Sequence, residues 1–136
     1  MTNLTRRVLI APALAALAVG AACGTAAATR TIRVPSQVTI ESHSLHFSGE
    51  VKTAAVYEPC EQQRKVVLLK VVSGGPDQVV GRDTTSNKGA WSITPQGWAG
   101  ISLAHFYAKV KKLSQGTAGT IYVCDAGKSK VIKPNP

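Results

Sequence analysis

Lys65-Val66-Val67-Leu68-Leu69-Lys70-Val71-Val72 decides the fold, together with Ser73-Gly74-Gly75-Pro76-Asp77 and the run Gln78 to Thr85 that follow it. The first run is rich in β-branched residues and apolar at both alternating sets of positions, which suits a strand in the middle of a sheet. The Ser-Gly-Gly-Pro-Asp cluster is a turn, because glycine and proline punctuate regular structure. Gln78 to Thr85 then reads as the returning strand of a hairpin.

The same pattern extends in both directions. Upstream, Leu45, Phe47, Gly49 and Val51 alternate with His46, Ser48, Glu50 and Lys52, the period of two of a half-buried strand. Residues 29–44 form an extended N-terminal segment in which Pro35 interrupts any regular start, and Thr53 to Cys60 is a connection broken by Pro59. Downstream, Ser86-Asn87-Lys88-Gly89 is a second turn, with Gly89 suited to positive φ. Ala90 to Ile93 is a strand ended by Pro95, Ser102 to Lys111 is another, and Ser114 to Gly119 is a turn of small residues. Thr120 to Cys124 is a strand, and Ser129 to Lys133 predicts a short final one. Seven or eight strands without an amphipathic helix predict an all-β, antiparallel sandwich over residues 45–133, with residues 134–136 as a fraying tail.

The chain has 136 residues, which fits one domain. With 44% apolar and 17% charged residues it does not have the composition of a disordered chain. Aromatic residues make up only 5%, which argues against a stacking platform for sugars or single-stranded nucleic acid.

Residues 1–28 read as a signal peptide. Arg6 and Arg7 supply the positive start, Val8 to Ala22 is an uncharged apolar run, and Ala26-Ala27-Ala28 offers small residues for cleavage. The run is short for a membrane span, and no transmembrane segment is expected in the mature chain. Gly20-Ala21-Ala22-Cys23 is the alternative: small residues before cysteine are what a lipoprotein signal uses, which would anchor the chain through Cys23. The expected product is a secreted, extracellular chain beginning at Thr29. Only Cys60 and Cys124 remain in it, and an even count in an exported chain predicts one disulfide. The bond closes a loop of about 65 residues, for which the chain-entropy estimate is roughly 4 kcal/mol.

Gly49-Glu50-Val51, a hairpin, and then Thr85-Ser86-Asn87-Lys88-Gly89-Ala90-Trp91 resemble the carboxypeptidase regulatory-like, or transthyretin-like, β-sandwich family. That family has Gly-x-Val early and Thr-Asp-x-x-Gly-x-aromatic at its central hairpin; here Ser86 stands in place of Asp and Trp91 in place of Tyr or Phe. The resemblance covers residues 45–124 and implies a small exported sandwich. The branch of that fold that hydrolyses 5-hydroxyisourate ends in Tyr-Arg-Gly-Ser, whereas this sequence ends Lys133-Pro134-Asn135-Pro136, so its activity is not carried over. Tyr122-Val123-Cys124 also resembles the tyrosine corner of immunoglobulin domains, but Trp91 comes 31 residues after Cys60, so the likeness is to an immunoglobulin-like architecture.

Candidate chemistry is sparse. His43 and His46 are three apart, which on one strand would turn them to opposite faces. Glu58 and Glu61 flank Cys60 without a catalytic spacing, and Asp83, Thr85 and Asn87 lack the glycine of a calcium loop. There is no nucleophile elbow, zinc-protease motif or phosphate loop. Neither enzyme activity nor a cofactor or metal is expected.

Charge carries more information. The net charge of +9 falls to +7 without Arg6 and Arg7, and residues 109–136 alone hold six lysines against Asp125. Such a field attracts anionic polymers, and lysines on strand edges also block aggregation. All six are lysine, which suits a diffuse field better than bidentate recognition. The expected role is therefore a binding or accessory module, with Lys109, Lys111, Lys112 and the loop residue Trp98 as ligand contacts, and Trp91 buried. An anionic cell-envelope polymer or another exported protein is the expected partner, rather than a specific nucleic acid.

Overall fold

The computed structural model describes residues 24, 27–54, 58–97 and 103–135; Trp98 and residues 1–23, where the signal peptide was expected, lie outside them. The described residues form eleven strands and no α-helix: β1 (Arg30–Val34), β2 (Ser36–Val38), β3 (Glu41–His43), β4 (His46–Thr53), β5 (Lys65–Lys70), β6 (Gln78–Thr84), β7 (Ala90–Ile93), β8 (Phe106–Val110), β9 (Leu113–Thr117), β10 (Thr120–Cys124) and β11 (Gly127–Lys128). A 3₁₀ turn, Glu58–Cys60, precedes β5. No helix among the described residues is long and apolar enough to cross a membrane.

The decisive stretch folds as its composition dictates. β5 sits between β6 and β8, in the sheet order β11-β8-β5-β6. Val66 and Leu68 are fully buried, while Val67 and Leu69 on the other face are half-buried. A second sheet is built on β4, which pairs with β2 through Val51 and Thr53, with β3 through its first residues, and with β7. One core joins the two sheets: Phe47, Val51, Trp91 and Ile93 from the second pack with Val66, Leu68, Phe106, Ala108 and Val110 from the first. The rings of Phe47 and Phe106 meet with centroids 4.8 Å apart.

The third sheet, β1-β10-β9, corrects the wholly antiparallel expectation, because β1 runs parallel to β10 from Arg30 opposite Thr120 to Val34 opposite Cys124. Almost the whole chain separates these two strands, which gives ample length for the crossover that a parallel pair needs. The extended segment 29–44 is thus paired into sheets. Pro35, with no N–H to donate, marks where the chain leaves β10 and passes to β4.

The strand count rises from seven or eight to eleven for local reasons. Ser114 to Thr117, expected to be a turn, belongs to β9, whose small residues pair with β10, and the turn is confined to Ala118 and Gly119. The final strand is Gly127–Lys128; the expected segment 129–133 continues beside β8 only as a bridge from Ile132 to Phe106, since at Ser129 the side-chain hydroxyl accepts the amide of Ala108 at 2.9 Å. Nor does the tail fray through Asn135. Pro134 is buried, Asn135 donates its amide to the Ser42 hydroxyl at 2.9 Å, and its carbonyl accepts the Ser44 amide at 3.2 Å.

The residues that carry the family resemblance meet in space. Gly49 lies opposite Trp91 across β4 and β7, and a Cβ there would overlap the Thr39 carbonyl oxygen. Gly89 has φ +77°, and its carbonyl accepts the Val51 amide at 2.8 Å. Trp91 is buried, at 2% exposure. Cys60 and Cys124 form the expected disulfide.

Candidate functional site

In an antiparallel pair, residues directly opposite project from the same face. The register of the β11-β8-β5-β6 sheet therefore sets Lys128, Lys109, Val67 and Arg82 in one row across all four strands, on the face away from the core. All three cations are exposed. The next row along the strands holds Tyr107, Leu69 and Val79. The Lys128 ammonium sits 4.0 Å from the centre of the Tyr107 ring, a cation–π contact. The Tyr107 hydroxyl donates to Asp77 Oδ2 at 2.6 Å, and Asp77 Oδ1 accepts the Val72 amide at 3.1 Å. These bonds hold the Asp77 carboxyl below its ordinary pKa and push the Tyr107 phenol above its own.

In the other direction along the strands lies an open cavity of about 500 Å³, lined by Lys65, Val67, Arg82, Asp83, Thr84 and Lys111 among others. Among the described residues Asp83 is the one carboxylate on its wall, and its oxygens accept the amides of Thr84 and Ser92, both at 2.7 Å. A smaller cleft of about 240 Å³ adjoins it, lined by Gln63, Arg64, Lys65, Lys111, Lys112 and Leu113. Lys65 and Lys111 belong to both walls.

The sequence-predicted residues are therefore partly brought together. Lys109 lies in the cationic row, Lys111 between the two cavities, and Lys112 only on the smaller one. Trp98 lies outside the described residues. Lys65, Arg82 and the buried Arg64 went unnoticed because they belong to the part of the sequence whose charges nearly cancel. Alternation along β6 alone would set Arg82 and Val79 on opposite faces; the bulge between Gly81 and Val79 brings them to one face, and only the pairing of β5 with both β6 and β8 puts Arg82 in line with Lys109.

The histidine expectation is corrected. Ser44 and Leu45, at φ 44° and 65°, form a two-residue turn between β3 and β4, so His43 lies directly opposite His46 on the same face. His46 Nδ1 is 2.9 Å from Thr94 Oγ1, and its Nε2 is 3.0 Å from Ser92 Oγ. Among the described residues no three His, Cys, Asp or Glu side chains gather in a way that could hold a metal ion. Glu61 is structural, accepting the amide and hydroxyl of Thr53 at 2.8 and 3.0 Å. Asp83 and Thr85 do not converge on a cation either: Thr85 is buried and donates its hydroxyl to the Glu61 carbonyl at 2.6 Å.

Compared with known proteins, the chain matches no protein-family model and no curated protein.

Proposed function

We propose that this protein is an exported, disulfide-stapled β-sandwich of the immunoglobulin-like or transthyretin-like kind, acting as a non-catalytic binding module for an extended anionic polymer of the cell envelope. The observation that carries the reading is the row Lys128, Lys109 and Arg82 across four strands, continued by Lys65 and Lys111. Strands lie about 4.8 Å apart, so the row spans roughly 14 Å, a length suited to a repeating charge rather than to one small ion. Two carboxylates, Asp77 and Asp83, stand beside these five cations, and among the described residues neither is in an ion pair with them, so the face keeps a net positive charge. The two four-stranded sheets over a single core support the sandwich, and the apolar leader with its buried disulfide supports export. Lipid anchoring through Cys23 would hold the same module at a membrane surface.

Binding to a poly(glycerol phosphate) chain, followed against salt concentration, tests the reading. The wild-type protein should bind and weaken steeply with salt, as polyanion binding does. The double variant K109E/K128E should bind about tenfold more weakly or worse, with an unchanged circular dichroism spectrum. Equal binding by the variant overturns the assignment of this face.

A further inference from the structure

Arg64 is the largest fully buried side chain, with 1% of its surface exposed, and the acceptors that hold it are all neutral. Its Nη1 donates to Ser36 Oγ at 3.1 Å and to the Cys60 carbonyl at 2.6 Å. Its Nη2 donates to the carbonyls of Lys111 at 2.8 Å and Asp125 at 2.9 Å. Asp125, whose carbonyl is one of these acceptors, directs its carboxylate to Arg33 at 2.8 Å instead. Arg64 Nε has no partner among the described residues. A guanidinium out of water is ordinarily paired with a carboxylate, because carbonyl dipoles satisfy its N–H groups without cancelling its charge.

The surroundings add charge of the same sign. The 240 Å³ cleft that Arg64 lines is walled by Lys65, Lys111 and Lys112, with Gln63 and Leu113, and among the described residues no carboxylate lines it. Gln63 is held at φ 52°, a left-handed conformation that a non-glycine residue adopts at a cost and that persists where the surrounding structure imposes it. The Gln63 amide donates to the Thr85 carbonyl at 3.1 Å, and the Thr85 hydroxyl accepts the Arg64 amide at 2.8 Å, so one network fixes both residues at the cleft.

We infer that this cleft is a site for one tetrahedral oxyanion, a phosphate or sulfate ester group, which supplies the counter-charge that Arg64 lacks within the chain. A desolvated, fixed cation behind three flexible ammonium groups is the arrangement that attracts such a group. The inference deepens the polymer reading and rests on it for the physiological ligand: because Lys65 and Lys111 wall both cavities, a chain lying on the sheet face could place one of its esters in the cleft.

Inorganic phosphate and sulfate, titrated at constant ionic strength against sodium chloride and followed by amide NMR shifts, test the site apart from the polymer. Saturable shifts are expected at residues 63–65 and 111–113. Lys112→Glu should weaken them about tenfold or more, while the charge-matched control Lys133→Glu, beside the Ile132–Phe106 bridge at the end of β8 away from Lys111, leaves them in place. Arg64→Lys keeps the charge but removes Nε, the guanidinium N–H left without a partner among the described residues, and should also weaken binding; if it fails to fold, Lys65→Gln replaces it. Shifts that are linear in concentration, equally produced by chloride, or unaltered in K112E overturn the inference. Salt-dependent polymer binding without saturable phosphate or sulfate binding leaves the polymer reading standing and sinks this site. Saturable oxyanion binding without polymer binding does the reverse.

Discussion

Cys60 and Cys124, 64 residues apart in sequence, are joined with their Cα atoms 5.3 Å apart, and neither is exposed to solvent. The bond ties the 3₁₀ turn before β5 to the last residue of β10, at the point where Arg64 reaches the carbonyls of Cys60 and Asp125. Val34 packs against both cysteines, with Ile32, Leu113 and Tyr122 around them. The disulfide is thus the centre of a second, smaller core that holds the three-stranded sheet to the rest.

Thiol titration of the unfolded, non-reduced protein should find no free thiol at these positions, and two would contradict the bond. Because both sulfurs are buried, reduction of the folded protein should be slow without denaturant. The paired change C60S/C124S should lower Tm by more than about 10 °C, from a loop-entropy contribution of roughly 4 kcal/mol in a domain of this size.

Gly49 and Trp91 make a second prediction. Gly49→Ala would drive its new methyl group into the Thr39 carbonyl and the edge of the Trp91 indole. Overpacking of this kind should destabilise the fold by about 1–3 kcal/mol, measured by urea denaturation. In W98F, where Trp91 is the one indole left, iodide should quench the fluorescence weakly; strong quenching would contradict its burial.

The Asp77–Tyr107 bond predicts a dependence on pH at both ends of the scale. Asp77 is lowered from its ordinary value of 3.8, chiefly by the Tyr107 hydroxyl, so its contribution to stability is present above that value and is lost as pH falls through the lowered one. Tyr107 is raised from 10.0, chiefly by the same bond, so its contribution holds below that value and is lost as pH rises through the raised one. Asp77→Ala should therefore have a lower Tm than wild type at neutral pH, with the gap closing in acid, and its Tyr107 phenolate should form at lower pH. Parallel melting curves across the whole range would contradict the coupling.

The proposed signal peptide gives a fourth prediction. Intact-mass measurement of protein recovered outside the cell should find Thr29 as the first residue. A chain beginning at a diacylated Cys23 would establish the lipid-anchored form instead.

The β-rich class, the central place of β5 and the pairing of the two downstream cysteines were legible in the sequence. Each follows from local chemistry: β-branched alternation makes strands, Gly-Pro clusters make turns, and two cysteines allow one connectivity. The short strands were less legible. β9 and β11 are built from small and polar residues, and what makes them strands is the backbone of β10 and β8 beside them. Likewise β1 is a strand through its parallel partner, which lies at the far end of the chain.

The candidate site shows the same division. Lys109, Lys111 and Lys112 stood out because they are adjacent in sequence and unbalanced by acid. Lys65 and Arg82 did not, because a running sum of charge along the chain cancels them against Glu61, Asp77 and Asp83. Register alone determines that Arg82 faces outward beside Lys109, while Asp83, its neighbour, points the other way to hold the Ser92 amide. The sequence by itself therefore determined which residues form strands and how strongly basic the chain is. Tertiary structure decided which cations share a face and left Arg64 buried without a carboxylate, because a sheet brings together side chains by pairing, and pairing is set by contacts between residues far apart in the chain.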